Sequence, residues 1–389
     1  MTPDSPIRAR LLPYGKQWVD DEDIAAVVET LRSDWLTTGP KVEDFEKAFA
    51  AFTGSSHAVA VSNGTAALHA VTAALGIGQG DEVIVPSITF VASANCVVYQ
   101  GGTPVFADVE GDTLLIDPKD VERKVTARTK AVIAVDYAGQ PCDYDALRAI
   151  ATKHKIALVA DACHALGGSY RGQPVGSLAD LSTFSLHPVK PITCGEGGVI
   201  TTNDAELAKA MRVFRSHGIS SDFRQREKQA SWAYEMVSLG YNYRLSDIQC
   251  ALAASQLKKL PAWVERRQAI ARRYDEAFSE EIRFTPLAVR DGVSHGYHLY
   301  VIRLNIDCDR GAAFKALRAE GIGVNVHYAP VHLHPFYRER FGTRAGLCPV
   351  AEKAAEQILT LPIFPLMSEA DVEDVIAAVK KVTRSRLTV

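Results

Sequence analysis

One lysine, Lys190, stands where lysine is unusual. The stretch from Ser182 to Gly198 reads STFSLHPVKPITCGEGG, so Lys190 follows a short apolar segment and precedes a proline and a glycine-rich turn. Lysine side chains usually lie on solvated surfaces, where the charge keeps its water. A lysine between a buried strand and a turn either lies exposed on a loop or carries an amine that reacts.

Two other groups occupy comparable positions. Asp161 ends the apolar segment IALVAD, where a carboxylate is costly unless it meets a cation. The segment SNGTAAL (62–68) begins a predicted helix, whose free N–H groups and dipole favour a phosphate. Taken singly, Asp161 is also compatible with a helix cap, SNGT with an ordinary N-cap, and Lys190 with a surface position.

Together these groups describe one ligand. A lysine suits an aldehyde, an aspartate suits a protonated pyridine nitrogen and a helix start suits a phosphate, and pyridoxal phosphate carries all three. Phe90, just after the segment VIVP, is placed to stack on the ring, and His164, three residues after Asp161, to contact the ring oxygen. The residues leave open whether Phe90 and His164 simply pack in the core. The combination predicts a cofactor-dependent enzyme with Lys190 and Asp161 as its catalytic residues.

The elements that must position these groups are those of an α/β protein. Between about residues 55 and 202, short β-branched segments alternate with helical patterns, which predicts a mostly parallel sheet with helices on both faces. Ligands of such sheets bind at the carboxyl ends of the strands. The predicted strands are VIVP (83–86), PVFADV (104–109), AVIAVDYAG (131–139), IALVADA (156–162), STFSLH (182–187) and GVITT (198–202).

The rest of the chain predicts a second, smaller unit. A long helical pattern at 246–278 contains Pro261, which should kink it or split it in two. Strand and helix patterns then alternate up to a closing helix at 370–382. The predicted organisation is an N-terminal arm (1–20), a large α/β domain (21–250), a linking helix (251–280) and a small C-terminal α+β domain (281–389).

Composition excludes several classes of protein. The 389 residues carry a net charge of −3, which gives no basic field for nucleic acid. We find no apolar segment typical of a secretion signal or membrane helix, and the seven cysteines are scattered without CxxC spacing. These features predict a cytoplasmic protein without a membrane or zinc site. The three histidines of HYAPVHLHPFY (327–337) lie in a proline-interrupted loop without an acidic pair, so we expect no metal there either.

Five segments resemble the sugar aminotransferases of the DegT/DnrJ/EryC1/StrS family, and the resemblance runs from about Tyr14 to Val382. The segments are SNGTAALHA, GDEVIVPSITFVASANCV, ADACHALGGSY, FSLHPVKPITCGEGG and GYNYRLSDIQCAL. The resemblance implies fold type I of the pyridoxal-phosphate enzymes and a homodimer with shared active sites. It assigns the internal aldimine to Lys190, the pyridine nitrogen to Asp161, the phosphate to Gly64, Thr65 and Ser185, the ring face to Phe90, and the neighbouring subunit's phosphate to Asn242.

The resemblance also implies a reaction. L-Glutamate would donate the amino group, and a UDP-linked 4-keto-6-deoxy-N-acetylhexosamine would receive it at C4, on the way to pseudaminic acid. The expected substrate residues are Tyr14, Asp34, Trp35, Leu36, Thr37, His187, His327, Tyr328, Ala329 and Pro330. The residues alone leave open whether Trp35 belongs to the core and whether HYAPVHLHPFY is a structural loop.

Alternatives remain at this stage. Leu186 and Cys194 depart from common residues of the family, and Cys194 also matches the enzymes that make 4-amino-4-deoxy-L-arabinose, so a UDP-4-keto-pentose is the alternative substrate. Family members that act as sugar dehydratases carry histidine in place of Lys190, which argues against that branch. A non-catalytic binding protein is disfavoured by the intact lysine, aspartate and phosphate site. A desulfurase needs a mobile cysteine, whereas Cys163 and Cys194 stand in apolar or tight-turn contexts.

Overall fold

The computed structural model describes residues 5–221, 226, 230–305 and 308–384. Within these residues the strands are β1 His57–Val61, β2 Glu82–Pro86, β3 Thr103–Ala107, β4 Thr129–Val135, β5 Ala157–Asp161, β6 Ser169–Tyr170, β7 Gln173–Pro174, β8 Leu181–Ser185, β9 Gly198–Thr202, β10 Phe284–Pro286, β11 Val293–Ser294, β12 Tyr300–Leu304 and β13 Ile358–Leu361. The α-helices are α1 Asp21–Leu31, α2 Pro40–Thr53, α3 Gly64–Ala74, α4 Ala92–Tyr99, α5 Pro118–Lys124, α6 Tyr144–His154, α7 Ala205–Phe214, α8 Asp247–Phe278, α9 Arg310–Ala319, α10 Pro335–Phe341, α11 Pro349–Ala355 and α12 Glu369–Arg384.

The central element is a seven-stranded sheet in the order β1-β9-β8-β5-β4-β2-β3. Strand β9 is antiparallel to both of its neighbours, and the other neighbouring pairs are parallel. Every residue of β2 and of β9 is buried, as expected for strands covered on both faces. The predicted mixed α/β architecture with a mostly parallel sheet is confirmed.

The six predicted strands are present, with one informative difference in length. The prediction for β4 ran on to Gly139, whereas the strand ends at Val135 and Tyr137–Gly139 form a 3₁₀ turn. Ala138 and Gly139 both have positive φ, which a strand does not allow. Strand β1 was not predicted, because its sequence HAVAV alternates small alanines with valines and carries a weak β signal.

Helix α8 corrects the expectation at Pro261. The helix runs through the proline as one element from Asp247 to Phe278, so the predicted split does not occur. Pro261 itself is exposed, while Leu257, Leu260 and Trp263 around it are buried. A proline costs a helix one backbone hydrogen bond, and the buried side chains on both sides of it hold the helix together.

Buried apolar residues form two clusters. The first surrounds the central sheet, and it also takes in Tyr337, Cys348 and Ala351 from the C-terminal part of the chain. The second lies between the sheet β10-β12-β13, the end of α8, α9 and α12, and it includes Leu12 from the N-terminal segment. The domain limits given above remain a prediction. None of the described helices is long and apolar enough to cross a membrane.

Candidate active site

A cavity of about 940 Å³ lies at the carboxyl ends of β4, β5 and β8. Its wall is completed by the start of α3, by the segment that leads into α4 and by residues 325–328. This is the edge at which open α/β sheets bind their ligands. Seven of the eight predicted cofactor residues line it, namely Lys190, Asp161, Gly64, Thr65, Phe90, His164 and Ser185.

The Asp161 carboxylate is buried at the end of β5, with 6% of the residue exposed. Ser93 donates a hydrogen bond to Asp161 Oδ2 over 2.7 Å, and the backbone N–H of Cys163 donates to Oδ1 over 3.3 Å. A buried carboxylate is stable only when such donors or a cation meet it. The side chain is therefore held ready for a cationic or N–H partner inside the cavity.

Lys190 reaches the same cavity from a turn after β8. Its N–H donates to the carbonyl of His187 over 2.9 Å, which closes the turn, and its side chain is half-buried. Burial lowers the pKa of the Lys190 amine, and the nearby Asp161 carboxylate opposes this in part. The amine therefore loses its proton more readily than an exposed lysine, as a nucleophile for a carbonyl group requires.

The start of α3 forms an anion site against β8. Asn63 caps this helix by accepting a hydrogen bond from the Ala66 N–H over 2.8 Å, so the N–H groups of Gly64 and Thr65 belong to the first turn, which has no intrahelical acceptor. A Cβ added to Gly64 would lie 3.0 Å from the Cβ of Ser185. The glycine thus lets the helix start pack against Ser185, which brings the free N–H groups of the helix and the Ser185 hydroxyl together at the wall of the cavity, where a phosphate can bind to both.

Two aromatic rings and a histidine complete the wall. Phe90 is 57% exposed and its ring centroid lies 6.1 Å from that of Tyr328, so it faces the cavity and is not part of the core. The Tyr328 hydroxyl lies 3.1 Å from Nε2 of His164. Burial holds the pKa of His164 well below its usual value, and Lys190 adds to the effect, so the imidazole is neutral. Its Nδ1 is buried and has no partner in the described part of the chain.

The predicted substrate residues divide into three groups. Tyr14, His187, His327 and Tyr328 line the cavity, whereas Ala329 and Pro330 continue the chain just beyond it. The segment Asp34 to Thr37 is not part of the wall. The carbonyl of Leu36 accepts from the Asp247 N–H at the start of α8, and Thr37 bridges Ser246. Trp35 in this segment is half-buried.

Asn242 also lies outside the cavity of its own chain. It is exposed and forms an isolated bridge with Ser216. The preceding residues expose large apolar side chains, among them Trp232 at 90% and Leu239 at 75%. Asn242 is therefore available to a second molecule, as the predicted contact with a neighbouring phosphate requires.

Sequence reasoning missed several residues at the site. Ser93 supports Asp161 from the first turn of α4, and Thr89 follows β2. His298 is buried beside His164, with ring centroids 4.4 Å apart and its own Nδ1 unpartnered. Ser93 carried no signal beyond a one-turn spacing from Thr89. A histidine within the apolar segment YHLYV was a signal for His298, but its partner was not evident from the sequence.

The histidine-rich loop has a structural role at His332. This residue is fully buried, its Nδ1 lies 2.6 Å from the Ser87 hydroxyl and its Nε2 lies 2.9 Å from Glu352 Oε1. His327 lines the cavity instead, whereas His334 directly precedes α10 and is not among the residues that line the cavity. Across the residues that the structure describes, no group of three or more His, Cys, Asp or Glu side chains is arranged to hold a metal ion.

The sequence matches the DegT/DnrJ/EryC1/StrS aminotransferase family over residues 17–380, so the chain belongs to that family. It is 43% identical over 382 residues to the spore coat polysaccharide biosynthesis protein SpsC of Bacillus subtilis, covering 97% of this chain and 98% of SpsC. The chain is therefore a sugar aminotransferase that depends on pyridoxal phosphate.

Solved structures agree with the assignment. The sugar aminotransferase Spr1654 of Streptococcus pneumoniae, solved in its PMP and PLP forms, superposes with a TM-score of 0.92 at 34% identity, covering 97% of this chain and all of that one. Helicobacter pylori PseC, an aminotransferase involved in the biosynthesis of pseudoaminic acid, superposes with a TM-score of 0.90 at 34% identity, with the same coverage. The predicted fold and cofactor are confirmed.

The residues of the cavity fit pyridoxal phosphate. The free N–H groups of the helix start and the adjacent Ser185 hydroxyl suit the phosphate, Asp161 suits the ring nitrogen, and Nδ1 of His164, which has no partner among the described residues, can bind the ring oxygen. When bound, the cofactor supplies a carbonyl that exchanges an amino group and a ring that accepts electrons. The protein supplies the amine of Lys190, the charge of Asp161 and a partly enclosed cavity.

Proposed function

We propose that the chain transfers an amino group from L-glutamate to C4 of a UDP-linked 4-keto-6-deoxy-N-acetylhexosamine. The product is UDP-4-amino-4,6-dideoxy-N-acetyl-β-L-altrosamine, a precursor of pseudaminic acid. The observation that carries the proposal is that Tyr14, His187 and His327 lie in the same cavity as Lys190 and Asp161. Similarity to PseC over 97% of the chain supports the choice of sugar.

Two of the proposed substrate residues, Tyr14 and His327, are neutral rings in the cavity wall. Burial lowers the pKa of His327 to about 4, so the imidazole is neutral at physiological pH, and its ring centroid lies 5.2 Å from that of Tyr14. Burial raises the pKa of Tyr14, which keeps the phenol protonated. Neutral hydrogen-bonding rings of this kind suit the hydroxyl groups and apolar faces of a sugar or the uracil ring.

Lys190 performs the proton transfers in this proposal. Once an amino acid has displaced it, the free amine moves a proton between the cofactor carbon and the sugar carbon as general acid and base. Donor and acceptor use the same cavity in turn, so ping-pong kinetics are expected. The lowered pKa of Lys190 suits its role as a base, because the amine gives up its proton more readily than the amine of an exposed lysine does.

A homodimer is part of the proposal. The exposed apolar side chains of Trp232, Met236 and Leu239 precede the exposed Asn242, and a second copy of the chain would cover them. Asn242 of each subunit would then contact the phosphate held by the other subunit. Glutamate as donor, the UDP group and a cytoplasmic location belong to the same proposal.

The alternatives of the sequence analysis receive less support. Cys194, the residue that favoured a pentose substrate, is buried outside the cavity, and its thiol donates to the carbonyl of Glu196 over 3.3 Å. It therefore has no contact through which to select a sugar. Burial raises the pKa of Cys163 well above its usual value, so the thiol remains protonated, which argues against a desulfurase.

The test separates donor from acceptor. The enzyme is loaded with pyridoxal phosphate, its visible band is bleached with L-glutamate, and the excess is removed. The amine form is then offered the UDP-4-keto-6-deoxy-N-acetylhexosamine or the UDP-4-keto-pentose, and return of the band is recorded. Return with the hexose alone supports the proposal, and return with the pentose alone overturns the choice of sugar. If glutamate does not bleach the band, the proposed donor is wrong.

A further inference from the structure

We propose that Ser93 and Thr89 are positioning residues for the catalytic carboxylate, because their hydroxyl groups form a directed chain that ends on Asp161. Ser93 Oγ lies 2.7 Å from Asp161 Oδ2, and Thr89 Oγ1 lies 2.7 Å from Ser93 Oγ. Neither hydroxyl belongs to the predicted site. The inference rests on the cofactor dependence of the family and is independent of the sugar proposed above.

The direction of the chain follows from counting protons. A carboxylate accepts hydrogen bonds and donates none, so Ser93 must donate to Asp161. Ser93 has one hydroxyl proton, and its other acceptor, the carbonyl of Phe90, is more distant at 3.3 Å. Because that proton is committed to Asp161, Thr89 must donate to Ser93. A hydroxyl that itself accepts a hydrogen bond is polarised and becomes a stronger donor to the charged group.

Because the two hydroxyl groups are buried, their removal should affect the Asp161 carboxylate. Ser93 is fully buried and Thr89 is 1% exposed, so water does not replace either hydroxyl when it is removed. The Cys163 N–H also donates to the Asp161 carboxylate, but it reaches the other oxygen, Oδ1, over a longer 3.3 Å. Loss of the Ser93 hydroxyl would leave Oδ2 without its short hydrogen bond, which is costly for a buried charge.

The same short segment also carries the proposed ring contact. Thr89, Phe90 and Ser93 lie between β2 and the first turn of α4, and the Ser93 N–H donates to the carbonyl of Phe90 over 3.2 Å. One turn of chain therefore orients both the carboxylate, through Ser93, and the exposed ring of Phe90. A shift of this turn would move two contacts to the cofactor together.

The experiment measures the affinity of the purified enzyme for pyridoxal phosphate and the visible spectrum of the loaded enzyme. Ser93→Ala should weaken binding by about tenfold or more, since a hydrogen bond to a buried charge is lost. Its matched control is Ser182→Ala, because Ser182 is equally buried on the neighbouring β8 but its hydroxyl has no partner among the residues that the structure describes. Ser182→Ala should bind the cofactor within about twofold of the unmodified enzyme.

A second pair of variants tests the outer hydroxyl. Thr89→Val removes the hydroxyl at constant shape and should weaken binding less than Ser93→Ala, whereas Thr89→Ser keeps the hydroxyl and should bind normally. Because Thr89 also lines the cavity, Thr89→Val is repeated in the Ser93→Ala background. If Thr89 acts through Ser93, it should have no further effect there.

The outcomes decide the proposal. It is overturned if Ser93→Ala binds the cofactor as tightly as the unmodified enzyme with an unchanged spectrum, or if Ser182→Ala weakens binding equally. It is also overturned if the Thr89→Val effect persists in full in the Ser93→Ala background. If Ser93→Ala does not fold, the Thr89 variants decide. A normal affinity for pyridoxal phosphate in Thr89→Val overturns the proposal, whereas a weakened affinity in Thr89→Val together with a normal affinity in Thr89→Ser supports it. None of these outcomes depends on the sugar or on glutamate.

Discussion

Gly64 at the start of α3 and Ser185 at the end of β8 pack against each other beside the proposed phosphate site. A Cβ added at Gly64 would lie 3.0 Å from the Ser185 Cβ and 3.4 Å from both the Ser185 hydroxyl and the Cys163 sulfur. Contacts at this distance force a neighbour to move. The helix start and the end of β8 therefore pack closely because residue 64 has no side chain, and Gly64, Thr65 and Ser185 all line the cavity.

This approach predicts that Gly64→Ala weakens the binding of pyridoxal phosphate by about tenfold, because the methyl group displaces Ser185 or the helix start. Titration of the apoenzyme, followed by absorbance, measures the effect. Gly78→Ala is the control, since a Cβ at Gly78 would meet no atom within 4 Å. Equal affinities for Gly64→Ala and the unmodified enzyme would show that the phosphate does not bind at the contact between Gly64 and Ser185.

The contact between Tyr328 and His164 predicts the tautomer of the histidine. Burial raises the pKa of Tyr328 well above its usual value, so the phenol keeps its proton and can donate it to His164 Nε2. A neutral imidazole that accepts at Nε2 carries its proton on Nδ1. His164 would then donate from Nδ1 to the ring oxygen of the cofactor.

Tyr328→Phe should therefore lower kcat/KM by about tenfold and alter the visible spectrum of the loaded enzyme, because the tautomer is no longer held. Tyr300→Phe is a suitable control, since the Tyr300 hydroxyl binds Asp275 over 2.6 Å, away from the cavity. A change in thermal stability alone, with an unchanged spectrum in Tyr328→Phe, would assign the tyrosine a purely structural role.

The third prediction is that removal of the Lys190 amine abolishes turnover but leaves the binding of pyridoxal phosphate intact. Lys190→Ala should lower turnover by at least about 10³-fold, because both the amine and the proton carrier are lost. Pyridoxal phosphate should still bind, since the helix start, Ser185 and Asp161 are unchanged, but borohydride should no longer attach it to the protein. Lys130→Ala, an exposed lysine outside the cavity, is the control. Turnover above about one per cent in Lys190→Ala would contradict the assigned role.

How much of the site could be predicted depended on whether its signals were local in sequence. Lys190, Asp161 and the SNGT segment each follow a strand or begin a helix, so their positions at one sheet edge followed from the parallel topology. Ser93 and Asp161 are 68 residues apart, and their contact depends on how α4 packs beside β5. No local pattern encodes such a contact.

The same reasoning explains the errors in the fold. Pro261 predicted a kink or a split because propensity is a local property, but the buried face of α8 outweighs one missing hydrogen bond and the helix is not split. The pairing of His298 with His164 likewise joins two distant segments. The family resemblance also predicted the substrate residues. The structure places Tyr14, His187, His327 and Tyr328 in the cavity, whereas residues 34–37 lie outside its wall.

The last prediction concerns stability and pH. Burial lowers the pKa of His295 to about 3, and its Nδ1 accepts a hydrogen bond from the Tyr297 N–H over 2.8 Å. An unfolded histidine titrates near pH 6.5. Between these values the unfolded chain binds a proton that the folded chain does not. The free energy of unfolding must therefore fall as the pH drops below about 6.5. At pH 5, His295 alone should lower the free energy of unfolding by about 2 kcal/mol relative to neutral pH.

The histidine can be tested by difference, because other groups titrate in the same window. Burial also lowers the pKa of His327, which acts in the same direction, and raises the pKa of Asp136 to about 7, which acts in the opposite direction. His295→Asn retains an acceptor for the Tyr297 N–H but has no titrating group. Between pH 7.5 and 5.0, the melting temperature of the loaded variant should fall about 2 °C less than that of the unmodified enzyme. Since His327 and Asp136 are present in both proteins, their contributions cancel, and equal decreases would show that His295 titrates normally in the folded chain.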